Sequence, residues 1–422
     1  MATDPPGPNR PGRLAGRQRR ARLRGLSQQH ITSAAPRPKL CDAVQQQVLR
    51  WLSPAPTPGV WFCRISLSGL LFSNQPLTDA SKGQVTQRKE LLASRQASAT
   101  SCEATGCRQV TIYQFIPLAA VPVMARLIRA ALPGTIPVLD LEDGLMDVVQ
   151  PANTPDRRRS ARTQMLELCH SILQRGGCSQ PLALRVNAWG SADLSADWPV
   201  AEALAAAFDL QSVFLPKVTG APQLQRADQQ LQAAGLPAGC MVPMLETRAA
   251  LQQAHQIAAK AAELGATAVV YGHYDYCLDA GHWPFPGPDD DTYWQPVATV
   301  AAAALAAGLR YVHPPTSNLR DTRSLAAVIT RLASLCGEAF DLFSAGLSQT
   351  AGLRQLAAAG VGELAAQGPP PPAPLPAQQL CALFERCRRP EHAFAVDGEA
   401  GRFIAPHEFL AAMRQLQAQA NA

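Results

Sequence analysis

Residues able to move protons, hold a metal or clamp a carboxylate recur at the ends of short apolar runs in the middle of this chain. They are Asp140, Glu142 and Asp143, then Arg185 and Asn187, Lys217, Glu246 and Thr247, His273 and Asp275, and His313. Charged groups placed directly after apolar segments are costly to desolvate unless a site uses them. One alone could cap a following helix, as Asp143 or Thr247 would, but so many at equivalent places do not reduce to capping. Glu246 and Asp275 offer hard oxygen ligands with no cysteine beside them, which favours Mg²⁺ or Mn²⁺ over zinc. Arg185 presents a guanidinium fork suited to a carboxylate or carbonyl oxygen. A divalent cation and such an Arg can together hold a 2-oxo acid or a thioester and stabilise the enolate formed when a carbon–carbon bond breaks. Lys217 reads as a salt-bridging or substrate-orienting group, with a Schiff base as the lesser alternative. His273 is expected two residues before Asp275 on one strand face, as a base or a supporting donor, with packing at the rim as the other reading.

The elements that must position these residues are legible from about Thr111 onward. Apolar runs alternate with amphipathic stretches of helical period, the pattern of βα units. Strands are expected at 112–117, 136–141, 182–187, 213–217, 241–246, 268–274, 309–313 and 340–344. Helical stretches are expected at 162–174, 223–234, 248–264 and 324–335. Gly265 and Gly308 stand where a glycine can end a helix before a strand. Eight such repeats over about 250 residues predict an α/β (β/α)8 TIM barrel, whose active site lies at the C-terminal ends of its strands. That rule gathers the polar residues named above on one rim. The stretch 279–296 is expected to be a long loop, a candidate lid or subunit contact.

Composition bounds the remainder. The 422 residues hold 47% hydrophobic and 17% charged residues, enough apolar material for a sizeable core. The longest apolar helical run, Val297 to Leu309, is too short for the ~20 residues of a membrane span. The net charge of +6 is unevenly spread: residues 1–108 carry 16 Lys/Arg against 5 Asp/Glu, leaving 22 against 27 in the body. Seven arginines lie between Arg10 and Arg24, without apolar periodicity. Residues 1–108 are therefore expected to be a disordered basic extension, with an organelle transit peptide or a polyanion-binding arm as alternatives. The body gives no reason to expect a nucleic-acid partner. Eleven scattered cysteines, with no paired Cys-x-x-Cys spacing, suggest reduced thiols and a cytoplasmic setting. The domain plan is an extension at 1–108, a barrel at 109–367, a Pro-rich linker at 368–377 and a C-terminal hairpin-helix segment at 378–422.

With these residues placed, the chain resembles the HpcH/HpaI aldolase and citrate lyase beta-subunit family. The stretches that carry the resemblance run in family order: FIP at 115–117, DLEDG at 140–144, Ala161–Arg162, RVN at 185–187, LPKV at 215–218, LETR at 245–248 and YGHYDY at 271–276. AVDGEAGRFIAPHEFLAAM at 395–413 follows as a C-terminal hairpin and helix. The resemblance implies a Mg²⁺-dependent carbon–carbon lyase acting on a hydroxy or oxo acid or its CoA thioester. It puts the metal on Glu246 and Asp275 and the substrate on Arg185. Asp140, Glu142 and Asp143 become the acidic group near the metal, while Asn187, Lys217 and His273 are expected from their strand-end places as further substrate contacts. It also implies a homo-oligomer, trimer or hexamer, in which the C-terminal segment covers a neighbouring subunit's site. Three departures weigh against CoA thioester chemistry. SAGLSQ stands at 344–349 where Ile-His-Pro-x-Gln is common, Ile404 stands in the place of a hairpin Asp, and Thr111 stands for an Arg. Asp397 is a candidate to replace the hairpin Asp. A thioesterase on a malyl- or citramalyl-type ester, or a catalytically silent subunit of a complex, are the alternative functions.

Overall fold

The computed structural model describes residues 110–116, 118, 134–359 and 373–421. Expectations for the basic extension and for the first half of the Pro-rich linker concern residues outside these. The described residues belong to one compact unit, Gln96–Ala422, and the other unit, Met1–Arg95, lies wholly outside them.

Eight parallel strands close into a barrel in simple sequence order. They are β1 (Ile112–Ile116), β2 (Thr135–Asp140), β3 (Pro181–Arg185), β4 (Asp209–Leu215), β5 (Met241–Leu245), β6 (Ala268–Tyr271), β7 (Arg310–His313) and β8 (Phe340–Ser344). Closure is direct, with Ile112 opposite Leu342 and Tyr113 opposite Phe343. A buried ion pair supports the seam from below. Arg310 donates to both oxygens of Asp341, at 2.7 and 2.8 Å, and the Thr111 amide donates to the same carboxylate at 2.9 Å. The α/β (β/α)8 expectation holds.

Side chains alternate across each strand, so every strand feeds two cores. One set fills the barrel interior with Tyr113, Val138, Ala183, Phe214, Val242, Val270, Val312 and Phe343. Tyr113, Phe214 and Phe343 meet there with ring centroids 5.1–5.7 Å apart. The other set, including Leu139, Leu184, Val213, Leu245 and Tyr311, packs against the surrounding helices. Those helices are α1 (Thr154–Leu173), α2 (Leu194–Ala207), α3 (Ala221–Ala233), α4 (Arg248–Gln252), α5 (Ala254–Glu263), α6 (His273–Ala280), α7 (Asp291–Ala306), α8 (Thr322–Cys336) and α9 (Leu347–Ala359). Gly265 and Gly308 follow helices with φ of 81° and 71°, the left-handed turn that glycine adopts without strain.

Several boundaries differ from the sequence reading. The stretch 248–264 is two helices, because the chain breaks at Gln253, whose φ of −110° is not helical. β6 stops at Tyr271, so His273 and Asp275 do not share a strand face. They sit in the first turn of α6, about 200° apart around the helix axis. The expected loop 279–296 shrinks to residues 281–290, with helix on either side. Its Trp283 packs against the C-terminal segment.

That segment comprises α10 (Ala377–Cys387), the antiparallel pair β9 (Ala395–Asp397) and β10 (Arg402–Ile404), and α11 (Pro406–Ala420). Phe384 stacks on Phe409 at 4.4 Å, joining α10 to α11 over a small apolar core of its own. Within this chain the segment packs on the barrel. The Phe403 amide donates to the Ser317 carbonyl at 2.7 Å, the Leu319 amide donates to the Gly401 carbonyl at 2.9 Å, and Arg388 pairs with Asp147 at 3.2 Å. No described helix is long and apolar enough to cross a membrane.

Candidate active site

The C-terminal ends of the strands and the C-terminal segment line one open cleft. Asp140, Asp143, Arg185, Glu246, His273 and Asp275 line it, all named from the sequence. The turn after β2 is organised by Asp140. Its two oxygens accept from the Glu142 amide at 3.0 Å and the Gly144 amide at 2.8 Å. A Cβ on Gly144 would come within 3.1 Å of the Asp140 Cγ, so only glycine lets the turn close over that carboxylate. The same carboxylate takes a two-pronged grip from Arg185, Nε at 2.8 Å and Nη2 at 2.6 Å. Arg185 Nη1 reaches Asp143 at 3.1 Å and Glu142 at 3.2 Å. Such bidentate pairs fix orientation as well as charge.

Lys217 follows β4 in a left-handed conformation, φ 54°, which is unusual outside glycine. Its amide donates to Glu246 Oε1 at 2.6 Å, and its ammonium reaches Glu142 at 2.6 Å, Asp275 at 3.1 Å and Asp143 at 3.6 Å. The salt-bridging reading of Lys217 therefore describes its contacts here. Burial, then the neighbouring Asp143, drives the Glu142 carboxyl well above its ordinary range. Burial, then Asp275, pushes Glu246 up to about 8. Burial also opposes ionisation of Asp143, but Lys217, His407 and Arg185 outweigh it and hold that group well below the usual carboxylate range. Asp275 is lowered too, with His407 and Lys217 overcoming its burial.

His407 is the residue the sequence reading missed. It stands at the start of α11, with Nε2 3.2 Å from Asp275 and 3.7 Å from Asp143. Burial works against its charge, yet Asp275 and Asp143 raise it to about 10. Only its place just after the hairpin, in IAPHEF, could have signalled it. Asp397 does not serve here: it sits at the hairpin turn, accepting from the Glu399 and Ala400 amides, and it does not line the cleft. Ile404 is fully buried in the segment's own core.

Two further expectations land elsewhere. Asn187 lies behind the cleft wall. Its amide group donates to the Leu141 carbonyl at 3.0 Å and to Asp197 at 2.9 Å, while Asp197 is itself gripped by Arg162 at 2.7 Å. His273 reaches the cleft from an aromatic surround, 3.3 Å from the Tyr271 hydroxyl. Burial lowers its pKa to about 3, so it is neutral and unsuited to carrying a proton near pH 7. His313 is locked between the hydroxyls of Tyr293 and Tyr311 at 2.9 and 3.1 Å.

The donor set suits a divalent cation. Ligand atoms of Asp143, Asp275 and His407 lie within 4.8 Å of one another. Glu142 Oε2, Asp143 Oδ1 and His407 Nε2 are buried with ion pairs as their contacts, 3.2 Å from Arg185, 3.6 Å from Lys217 and 3.2 Å from Asp275.

The chain is similar to several known proteins. A solved structure of RipC from Yersinia pestis is 19% identical, covering 59% of this chain and 95% of its own, with a TM-score of 0.42. The citrate lyase beta subunit of M. tuberculosis, complexed with oxaloacetate and magnesium, is 22% identical, covering 58% and 96%, with a TM-score of 0.43. CitE from the same organism, in complex with magnesium, acetoacetate and coenzyme A, is 20% identical, covering 73% and 97%, with a TM-score of 0.44. No curated protein matches the chain. The HpcH/HpaI aldolase/citrate lyase family profile matches residues 116–344, more than half of the sequence, and runs from the end of β1 to the end of β8. The chain belongs to the HpcH/HpaI aldolase/citrate lyase family.

Proposed function

We propose that this protein is a Mg²⁺-dependent carbon–carbon lyase that cleaves or forms a bond next to the carbonyl of a 2-oxo acid. The observation that carries the reading is the carboxylates of Asp143, Glu246 and Asp275 lining one cleft beside Arg185, with donor atoms of Asp143, Asp275 and His407 within 4.8 Å of one another. Asp275 and Glu246, with Asp143 alongside, would hold the metal. The cation would supply stabilisation for negative charge developing on the substrate's carbonyl oxygen.

The chain's own groups account for the remaining steps. Arg185 orients the substrate carboxylate, and its clamp on Asp140 prevents it from swinging away. Lys217 neutralises Glu142 and keeps the acidic cluster compact. Mg²⁺ prefers an all-oxygen shell, which leaves His407 as the proton carrier. Its Nε2, protonated near pH 7, gives a proton to the carbon left behind by cleavage and takes one in the reverse direction. His407 thus fills the role that Ile404 cannot.

Calorimetric titration with Mg²⁺ and then pyruvate or oxalate tests the reading, with a Glu246→Ala, Asp275→Ala double variant beside the unaltered chain. Metal-dependent binding that disappears in the variant is expected. Absence of binding in the unaltered chain would overturn the lyase reading.

A further inference from the structure

The charged residues lining the cleft are confined to one end, and the walls beyond them are aromatic. Phe115 and Phe343, from β1 and β8, stack at 4.8 Å with planes 16° apart, forming a flat surface on the barrel side. The Arg185 guanidinium lies over Phe115 at 4.9 Å, so this surface begins where the substrate carboxylate would be held. Across the cleft, Phe403 packs on Phe394 at 5.1 Å and on Tyr274 at 6.1 Å, all three lining the cavity. Two aromatic surfaces thus flank one cavity, one from the barrel and one from the C-terminal segment with α6.

Arg185 is the only Lys or Arg among the described lining residues. Most of its donors are already directed at Asp140, Asp143 and Glu142. The other cation among the described lining residues, His407, is held by Asp275 and Asp143, so a second substrate carboxylate among the rings would have no free described cation to pair it, which is unfavourable for a desolvated charge. A flat apolar group there would instead gain burial and ring contacts.

We infer that the cleft selects a 2-oxo acid bearing a single carboxylate and an apolar, aromatic side group over a dicarboxylate. The inference rests on the metal–oxo-acid reading above and adds the identity of the substrate's distal part.

Calorimetry on the full chain with saturating Mg²⁺ tests it, using pyruvate, phenylpyruvate and oxaloacetate as probes. Phenylpyruvate is expected to bind about 30-fold more tightly than pyruvate, as burial of one ring predicts (about 2 kcal/mol). Oxaloacetate is expected to bind no more tightly than pyruvate. Phe403 is half-buried on the hairpin, so its replacement does not open the barrel core. Phe403→Ala should reduce the phenylpyruvate-to-pyruvate preference at least fivefold. Phe403→Arg, which supplies the missing cation, should shift preference toward oxaloacetate, and melting curves confirm that both variants are folded. If pyruvate binds but phenylpyruvate binds no better, or oxaloacetate binds best, the inference is overturned while the lyase reading stands. If none of the three binds with metal present, both fall.

Discussion

Gly272 offers a way to move Glu246 without altering its chemistry. The backbone there, φ −100° and ψ 93°, is open to any residue, so conformation does not demand glycine. Space does: a Cβ at 272 would come within 2.5 Å of the Glu246 Cβ and closer still to its Oε2. Carbon atoms in contact normally stay about 3.5–4.0 Å apart, so Gly272→Ala must push Glu246 back by roughly 1 Å. The hydrogen bond from the Lys217 amide, 2.6 Å at present, would stretch to about 3.6 Å and cease to be one. An amide left without its acceptor costs about 1–3 kcal/mol. At about 2–4 °C per kcal/mol for a domain of this size, the melting temperature should fall by roughly 2–12 °C. Mg²⁺ tolerates little distortion of its shell, so its affinity should weaken on the order of 10–100-fold. Thermal melts and Mg²⁺ titration calorimetry read both effects. Gly346→Ala is the control on the same rim, since a Cβ there meets nothing within 4 Å. Equal Mg²⁺ affinity for Gly272→Ala and the unaltered chain would refute the placement of Glu246 in the metal site.

Metal binding should release about one proton near pH 7. Glu246, pushed up to about 8, is protonated there in the metal-free protein, and an incoming dication displaces that proton. Titration in buffers of different ionisation enthalpy counts it, and affinity should rise with pH up to about 8; a pH-independent affinity would contradict the assignment. His407→Asn should retain Mg²⁺ binding yet slow solvent deuterium exchange into pyruvate by about 10²–10⁴-fold, measured by NMR. Unchanged exchange would remove His407 from the proton path. Burial holds His313 down at about 3, against about 6.5 in an unfolded chain. The folded state therefore binds fewer protons, so this contribution is complete above pH 6.5. It is lost toward pH 3 at about 1.4 kcal/mol per pH unit. His313→Gln should flatten that part of the denaturant-derived stability profile, and parallel profiles would exclude the effect.

The sequence exposes the barrel because period-two apolar runs and their polar ends are local features. Asp140, Arg185, Glu246 and Asp275 could be named from their positions alone, and they line one cleft. What the sequence hides depends on direction and distance. Asn187 ends its strand as Arg185 does, but it stands two positions further on, past the end of β3, and its amide is spent on Asp197. Tyr271, His273 and Tyr274 extend the apolar run of β6 as far as strand propensity can judge. The chain turns at Gly272 because space beside Glu246 requires it, a contact between residues far apart in sequence. His407 lies more than a hundred residues from its carboxylate partners, so only the packing of the C-terminal segment reveals it.

The division of the cleft between barrel and C-terminal segment has a consequence for biosynthesis. A ribosome that has just completed β8 has supplied every strand of the barrel, with its acidic cluster still uncovered. Phe394, Phe403 and His407 are translated afterwards, so the aromatic roof and the proposed proton carrier arrive together with the C-terminal segment. On the reading proposed above, a message truncated after α9 would yield a barrel that keeps its acidic cluster but can neither grip an apolar side group nor return a proton. The proposed activity is thus tied to synthesis of the C-terminal segment.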